Sequence, residues 1–372
     1  MTHDIQDIPL PHGRPGTQRS LRVHRFGTAG AAPKVYIQAG LHAGEIPGLL
    51  VAGHLLGRLR ELDAAGTIRG EIVLVPMANP IGIDQTLQGQ LLGRFELASG
   101  VNFNRAFPNL TDRVAELVGD RVDPGAAGVA AIRAALRQAL AVHQISSQAD
   151  ALRRTLLSYA MDADVVLDLH CDSEAAMHLY TMPELWDGFA DLSARLGCRA
   201  ALLEADSGGE PFDETCSGFW RRLGEKLGAD LPMACAATTV ELRGMSDVDD
   251  PAAAADADAI ISHLMVRGAI AGEPEPAPAP LCAPTPLAGV DRVKAPVAGV
   301  IVYKAAVGQT VQAGDLVAEI LDPWSGDRHP CRAIVSGPVW SRSQERFAGA
   351  GDTVMSIAGT QPLPRTGSLL TA

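Results

Sequence analysis

The sequence predicts an α/β domain followed by a small all-β domain. Over roughly the first 270 residues, short apolar runs typical of strands alternate with longer runs of helical spacing, as expected of an α/β domain. A stretch reading Glu-Pro-Glu-Pro-Ala-Pro-Ala-Pro then has the composition of an extended, semi-rigid linker. Beyond it, glycines are frequent and the apolar runs are short and β-branched, which indicates an all-β fold. We therefore divide the chain into an α/β domain (1–272), a Pro/Ala-rich linker (273–288) and a β domain (289–372).

The composition argues against several classes of protein. The chain has 372 residues, of which 47% are hydrophobic, so it can bury a sizeable core in two domains. A formal net charge of −12 argues against nucleic acid or an anionic membrane as the main partner. No apolar run approaches the length of a membrane span, and the N-terminal residues lack the apolar core of a signal peptide. Six scattered cysteines form no close pair, so we expect reduced thiols and a cytoplasmic protein. The oligomeric state does not follow from the sequence, and a homo-oligomer is one alternative.

The predicted elements leave several polar residues at strand ends. In the α/β domain we expect strands over residues 20–26, 34–38, 71–76, 164–169, 199–203 and 233–240. Helices are expected from about residue 47 and over residues 129–160, 185–196, 219–227 and 252–270. In the β domain the candidate strands are 300–303, 316–321, 333–335 and 354–358. A long polar loop over 77–111 has little periodicity, and loops of this length are often functional.

A histidine and a glutamate lie three residues apart in the glycine-rich segment that follows the second strand. They are His42 and Glu45 in the sequence Gly-Leu-His-Ala-Gly-Glu. A second histidine, His170, ends a strand further along the chain, and Glu241 ends the last strand of the α/β domain. Strand ends of an α/β sheet converge at one edge, where metals and substrates bind. Two imidazoles and one carboxylate leave a fourth zinc position open for water, and Glu241 is placed to move a proton.

Four short motifs follow one another along the chain: Gly40-Leu41-His42-Ala43-Gly44-Glu45, Asn104-Arg105-Ala106-Phe107-Pro108, Asp168-Leu169-His170 and Val240-Glu241. In residues and order they resemble the motifs of the succinylglutamate desuccinylase/aspartoacylase family. The resemblance covers roughly residues 30–270. It implies a zinc-carboxypeptidase-like (M14-like) fold, with a mixed sheet flanked by helices. It also implies that residues 1–272 form a zinc-dependent deacylase domain.

By this resemblance, His42, Glu45 and His170 would bind one zinc ion, and Glu241 would act as general base and then as general acid. Each residue also has a structural interpretation. A single histidine is more often a hydrogen-bonded structural residue than a ligand, whereas the residues together in this order favour zinc binding. Asp168 would either orient a ligand or be a plain buried acid.

Asn104 and Arg105 would hold the substrate carboxylate, since a guanidinium offers a planar fork for bidentate recognition. Arg94 is the candidate for polarising the scissile carbonyl as negative charge develops on its oxygen. The aspartate-specific and succinyl-specific members use a further arginine somewhat before the catalytic glutamate, but residues 223–240 contain none. Arg243 could take that role. Otherwise the substrate would carry one carboxylate rather than two.

The β domain resembles a biotinyl/lipoyl-type barrel-sandwich over residues 293–300 and 307–315. The turn that would carry the modified lysine follows Ile320, where the chain reads Leu-Asp-Pro-Trp-Ser-Gly and has no lysine. We therefore expect a structural or assembly module that also shapes the mouth of the site, and not a swinging-arm carrier.

The sequence thus predicts a zinc-dependent hydrolase that cleaves the amide bond of an N-acylated amino acid or a similar small, carboxylate-bearing amide. One alternative is a carboxypeptidase-like enzyme that keeps the metal site but needs an open groove for a peptide. The other is a non-catalytic binding protein of the same fold. That protein would have lost a ligand or the base, whereas this chain retains all four residues.

Overall fold

The computed structural model describes residues 3–119 and 122–364. Within these ranges the strands are β1 (Asp4–Pro9), β2 (Ser20–Gly27), β3 (Lys34–Ala39), β4 (Glu71–Val75), β5 (Thr86–Leu87), β6 (Gln90–Leu91), β7 (Val165–Asp172), β8 (Glu174–Ala175), β9 (His178–Thr181), β10 (Ala200–Leu203), β11 (Ala236–Gly244), β12 (Pro284–Pro286), β13 (Val290–Lys294), β14 (Gly299–Tyr303), β15 (Thr310–Val311), β16 (Leu316–Leu321), β17 (Arg328–Arg332), β18 (Gly337–Arg342), β19 (Phe347–Ala348) and β20 (Thr353–Ala358). The α-helices are α1 (Ile46–Ala64), α2 (Thr111–Val118), α3 (Ala126–Val142), α4 (Gln148–Ala160), α5 (Trp186–Leu196), α6 (Phe212–Leu227) and α7 (Asp250–Val266).

None of the helices in these ranges combines the length and apolar character needed to cross a membrane. All six cysteines are present as free thiols. The cytoplasmic location expected from the sequence stays a prediction.

Nine strands form one mixed sheet in the order β1-β2-β4-β3-β7-β11-β9-β10-β12. The four central strands β4, β3, β7 and β11 are parallel. On one side of them β2 and β1 follow in antiparallel pairs, and on the other side β9, β10 and β12 run in the opposite direction to β11. The C-terminal ends of β3, β7 and β11 therefore lie side by side at one edge, where ligands of α/β sheets usually bind.

Helices cover both faces of this sheet. Along β7, Val165 and Leu167 point into the core formed with α1, α5 and α7, whereas Val166 points into the core formed with α3, α4 and α6. Two helices begin at a side-chain cap: Ser147 accepts a hydrogen bond at the start of α4, and Asp249 does so at the start of α7. Because both faces of β7 are covered by apolar cores, its sequence is a nearly continuous apolar run.

The predicted mixed α/β fold is confirmed, although the ends of several elements differ from the prediction. Strand β7 continues past His170, and β11 continues past Glu241, because the two strands keep pairing as far as Asp172 and Gly244. Helix α6 begins at Phe212 rather than at residue 219, since its polar first turn hides the helical spacing. Strand β9 was not predicted, because it is short and polar at both ends.

The β domain consists of two antiparallel sheets, β13-β20-β18-β15 and β17-β16-β14-β19, that enclose a common apolar core. This arrangement confirms the all-β prediction. The predicted strand over 333–335 is wrong, because β17 ends its pairing with β16 at Arg332. At the hairpin between β16 and β17, where a carrier domain would have its lysine, Trp324 is 96% exposed.

Strand pairing joins the linker and the β domain to the α/β domain. β12, inside the predicted linker, lies parallel to β10 at the edge of the nine-stranded sheet. β8, which follows β7, pairs antiparallel with β18. The linker and the β domain are therefore each joined to the α/β domain by a backbone ladder, and the second ladder lies a few residues after His170.

Candidate metal centre and its cavity

The predicted metal ligands come together at the ends of β3 and β7. After β3, Gly40 adopts a φ of +70° and turns the chain into the short loop that carries His42 and Glu45 ahead of α1. In the parallel pair β7 and β11, His170 lies directly opposite Glu241. Potential ligand atoms of the two histidines and Glu45 all lie within 4.8 Å of one another.

The carboxylate of Glu45 lies between the two imidazoles. Its Oε1 is 2.8 Å from His42 Nδ1, and its Oε2 is 2.8 Å from His170 Nδ1. The Oε2 atom also accepts a hydrogen bond from the backbone N–H of Cys171 at 3.2 Å. The three residues are at most 5% exposed. This group has the donor chemistry of a catalytic zinc site.

The outer nitrogens of both imidazoles face oxygen atoms. His42 Nε2 lies 2.8 Å from Asn102 Oδ1, which also accepts the N–H of Asn104, so the Nε2 atom carries the proton. His170 Nε2 lies 3.0 Å from Asp168 Oδ2. Each histidine therefore turns Nδ1 toward the common centre. Outer partners of this kind fix the tautomer and orientation of metal-binding imidazoles, so the residues present fit a zinc ion.

Asp168 is held by a chain of buried hydrogen bonds. Its Oδ1 accepts a hydrogen bond from Gln38 Nε2 at 2.9 Å, and Gln38 Oε1 accepts one from the Tyr36 hydroxyl at 2.8 Å. The Asp168 side chain is fully buried. A buried acid fixed beneath His170 in this way favours the orienting role over that of an unrelated core residue.

The charges at this centre suit a cation. Burial lowers the pKa of His42. Burial would also lower the pKa of His170, but the nearby charges of Asp168 and Glu45 outweigh it and raise that pKa. Burial would raise the pKa of Glu45, yet the two imidazoles hold it below its ordinary range. Glu45 is therefore ionised, as a metal ligand must be.

Glu241 lies beside the ligand group with a free oxygen. Its Oε2 atom is buried and has no hydrogen-bond partner within the described ranges. Burial, followed by the charge of Glu45, raises the pKa of Glu241 well above its ordinary value. On the neighbouring strand β9, burial and then the charge of Glu241 raise the pKa of Tyr180. A buried carboxyl group with an unused oxygen and a raised pKa is suited to accept and return a proton.

Arg94 reaches the same centre from the long polar loop. Its Nη1 atom lies 3.2 Å from His42 Nδ1 and 3.3 Å from Glu45 Oε1, while the side chain is 50% exposed. The guanidinium thus contacts two of the atoms that a metal ion would use. A cation so close to the centre could stabilise negative charge on a bound carbonyl oxygen.

The loop that carries Asn104 and Arg105 is fixed against the start of α6. Asn104 Oδ1 accepts the N–H of Phe212 at 2.8 Å, so its side-chain amide is the group that could donate to a carboxylate. Ala106 has a φ of +58°, an uncommon conformation for a residue with a side chain, and its N–H donates to Gly209 O at 3.0 Å. Burial lowers the pKa of Arg105. Both predicted carboxylate-binding residues border the same cavity.

The structure places Arg243 away from these residues. The pairing of β11 with β7 shifts register between Glu241 and Gly244, and Arg243 has a φ of +67°. Its guanidinium forms an ion pair with Asp256 on α7. Arg243 is therefore directed away from the cavity, where the second carboxylate contact was expected.

The cavity has a volume of about 360 Å³ and lies between the two domains. The α/β domain contributes the ligand group, Glu241 and the Asn104–Arg105 pair. The β domain contributes the opposite wall, which includes Arg292, Trp340, Ser341, Arg342, Thr353 and Ser356. The β domain thus borders the site directly.

Several residues at the site were not predicted from the sequence, among them four in the α/β domain. Asn102 could have been noticed, because it precedes Asn104 by two residues in the same polar loop. Tyr180 has no local signal, since β9 meets β11 only in the folded sheet. Asp213 and Glu214 lie in the unpredicted first turn of α6. Burial, followed by a neighbouring acid, raises their pKa values to about 6 and about 7.

The fold and the ligand group define an α/β protein with a candidate metal centre of the kind that hydrolases use. The profile of the succinylglutamate desuccinylase/aspartoacylase catalytic domain matches residues 31–266, and the chain belongs to this family. The resemblance inferred from the four motifs is thereby confirmed.

Solved structures extend the similarity to nearly the whole chain. A protein from Shewanella amazonensis SB2B assigned to the same family is 27% identical, with a TM-score of 0.81 over 95% of this chain and 98% of that one. One from Shewanella frigidimarina NCIMB 400 is 26% identical, with a TM-score of 0.81 over 98% and 100%. The ectoine utilization protein EutE (DoeB) from Ruegeria pomeroyi shares the fold at 17% identity, with a TM-score of 0.66 over 97% and 96%. No protein of curated function matches the sequence.

Proposed function

We propose that the protein is a zinc-dependent hydrolase that cleaves the amide bond of an N-acylated amino acid or a similar small, carboxylate-bearing amide. The proposal is carried by the convergence of His42, Glu45, His170 and Glu241 on one cavity that Arg105 also borders. Membership of a family named for a desuccinylase and an acylase supports amide hydrolysis.

The zinc ion would be held by His42 and His170 through Nδ1 and by the carboxylate of Glu45. Zinc in such a site polarises a carbonyl group and lowers the pKa of a water molecule. Asn102 and Asp168 would keep the two imidazoles in the tautomers and orientations that binding requires, from distances of 2.8 and 3.0 Å.

Glu241 would accept the proton of the attacking water and later return it to the leaving amine. Its buried Oε2 has no partner within the described residues, and its raised pKa lets it hold a proton between the two steps. Arg94 would stabilise the negative charge that develops on the carbonyl oxygen, since its guanidinium already lies beside His42 and Glu45.

The substrate carboxylate would bind to Asn104 and Arg105. Because Arg243 is paired with Asp256, the described residues of the α/β domain offer one arranged carboxylate site rather than two. The cavity of about 360 Å³ has room for a small ligand, and the β domain forms one of its walls. This enclosure favours a small amide over a peptide lying in an open groove.

Release of free amine from a panel of N-acyl amino acids by the zinc-loaded protein tests the proposal. Short peptides and N-acyl amino acids whose carboxylate is blocked as a carboxamide serve as matched comparisons. We expect turnover of the free acids and little turnover of the other two groups. Preferred hydrolysis of peptides would support the carboxypeptidase-like alternative. Zinc binding without hydrolysis of any of them would support a binding protein.

Replacing Glu241, the proposed proton carrier, tests the mechanism within the same assay. Glu241→Gln should bind zinc with unchanged stoichiometry and lower kcat by about 10²–10⁴-fold, the usual contribution of a general base. The exposed acid Glu184 provides the control variant Glu184→Gln, which should match the wild-type protein. Substantial activity in Glu241→Gln would contradict the assignment.

A further inference from the structure

The segment that follows His170 is held by the β domain. This docking segment, residues 171–176, contains β8, which pairs antiparallel with β18. Near its start, Asp172 Oδ2 accepts a hydrogen bond from Ser341 Oγ at 2.8 Å. At its end, the backbone N–H of Ala176 donates to a carbonyl of β18 at 2.8 Å. The β domain thus contacts the docking segment from Asp172 to Ala176.

Glu174 makes the main charged contact of the docking segment. Its Oε2 accepts a hydrogen bond from Arg342 Nε at 2.6 Å, and its Oε1 accepts one from Arg346 Nη2. Both guanidinium groups lie over the ring of Tyr303, 4.6 and 5.2 Å from its centre. Burial would raise the pKa of Glu174, but the hydrogen bonds from the two arginines lower it. Glu174 is therefore an ionised carboxylate between two cations of the other domain.

The docking segment in turn contacts the metal ligands. It begins at Cys171, which follows His170 in the chain and whose N–H donates to Glu45 Oε2 at 3.2 Å. On its other side, the N–H of Met245 donates to Asp172 O at 2.9 Å. A displacement of this segment would therefore move both a ligand and the hydrogen-bond donor of a second ligand.

We infer that the β domain positions the metal centre, and that Glu174 is the positioning residue through which it acts. The inference rests on the metal site of the proposed function and adds a role for the second domain. Arg342 and Arg346 hold Glu174, Glu174 holds the docking segment, and the docking segment orients two of the three ligands. Groups that orient metal ligands from outside raise the affinity for the metal.

Titration of the metal-free, full-length protein with Co²⁺ tests this inference, because the visible absorption of Co²⁺ depends on the number and geometry of its ligands. Glu174→Gln keeps the size of the side chain but removes the charge between the two arginines. We expect it to bind Co²⁺ about three- to tenfold more weakly, below the range seen for partners in direct contact with a ligand, and to change the absorption band.

The β domain offers a matched control. Glu319 Oε2 lies 2.8 Å from Lys304 Nζ and 3.1 Å from Arg328 Nη1, so it is also a carboxylate between two cations, but all three belong to the β domain. Glu319→Gln should bind Co²⁺ as the wild-type protein does. Arg346→Gln leaves one arginine on Glu174 and should give a smaller change of the same kind. It also provides the test if Glu174→Gln does not fold.

Wild-type Co²⁺ affinity and absorption in both Glu174→Gln and Arg346→Gln would overturn the inference. An equal change in Glu319→Gln would do so as well, because the effect would then be a general response to a lost charge. The titration uses no substrate. A wild-type protein that binds Co²⁺ but hydrolyses no amide would therefore refute the proposed function and leave this inference standing.

Discussion

Asp213 is a buried carboxyl group whose ionisation should make the stability of the protein depend on pH. It lies in the first turn of α6 and is 7% exposed. Burial, and then the charge of Asp168, raises its pKa to about 6 from an ordinary value of 3.8. Hydrogen bonds from the Glu214 N–H and the Thr239 side chain oppose this rise only in part.

The sign and size of the effect follow from proton linkage. Because the folded state binds this proton more tightly than the unfolded chain, the stabilising contribution is complete below about pH 4 and is lost as the pH rises through about 6. A rise from 3.8 to about 6, at about 1.4 kcal/mol per pKa unit, corresponds to about 3 kcal/mol. Asp213→Asn should therefore gain about 3 kcal/mol of unfolding free energy relative to the wild-type protein between about pH 4 and 7.

The neighbouring acid Glu214 adds to the gain in unfolding free energy of Asp213→Asn. Burial, followed by the charge of Asp213, raises the pKa of Glu214 to about 7. Removing the charge at position 213 lowers that pKa, which also favours the variant as the pH rises.

Urea unfolding followed by circular dichroism, at about one-unit steps of pH and with a chelator present, measures the difference in unfolding free energy. Asp230→Asn, a change at an exposed acid of the loop that follows α6, is the control and should give a difference in unfolding free energy that does not vary with pH. If the difference in unfolding free energy between Asp213→Asn and the wild-type protein stayed constant from about pH 4 to 7, the reasoning would be refuted.

Two further predictions concern a residue behind the metal centre and a residue that lines the cavity. Asn102→Ala removes the acceptor of His42 Nε2 and should weaken zinc binding about 10- to 100-fold in a competition titration with a chelator. Asn109→Ala, which alters a more exposed asparagine, should not weaken it. Arg105→Lys should lower kcat/KM for an N-acyl amino acid about 10- to 100-fold, mainly through KM, since hydrogen bonds to a charged group contribute about 1.5–3 kcal/mol. Arg113→Lys is its control, and equal kinetics in the two variants would exclude Arg105 as the carboxylate anchor.

The candidate metal centre could be predicted from sequence because its geometry follows from local features. His42 and Glu45 share one short loop after a strand, so they stay close in any α/β arrangement. His170 and Glu241 lie near the C-terminal ends of two strands that become parallel neighbours. Ends of parallel strands meet at one edge, so strand assignment alone brings these residues together.

Other parts of the site depend on features that leave little trace in the sequence. The direction of Arg243 follows from a register shift and a left-handed backbone conformation late in β11. Tyr180 reaches the cavity because an antiparallel strand is inserted beside β11. The position of Asp213 beside the cavity depends on where α6 begins. Arg292 and Arg342 reach the cavity only through docking of the second domain, which no local pattern describes.

The position of β12 in the linker also determines where the chain can be cut to make an expression fragment. The match to the family's catalytic domain ends at residue 266, which invites an expression fragment that stops there. Such a fragment would lack β12, so β10 would keep its pairing with β9 but would have no partner on its outer side and would become the edge strand. Unpaired edge strands readily pair with other chains and aggregate. For this protein, the region matched by the catalytic-domain profile is therefore shorter than the region needed to keep the edge of the sheet paired.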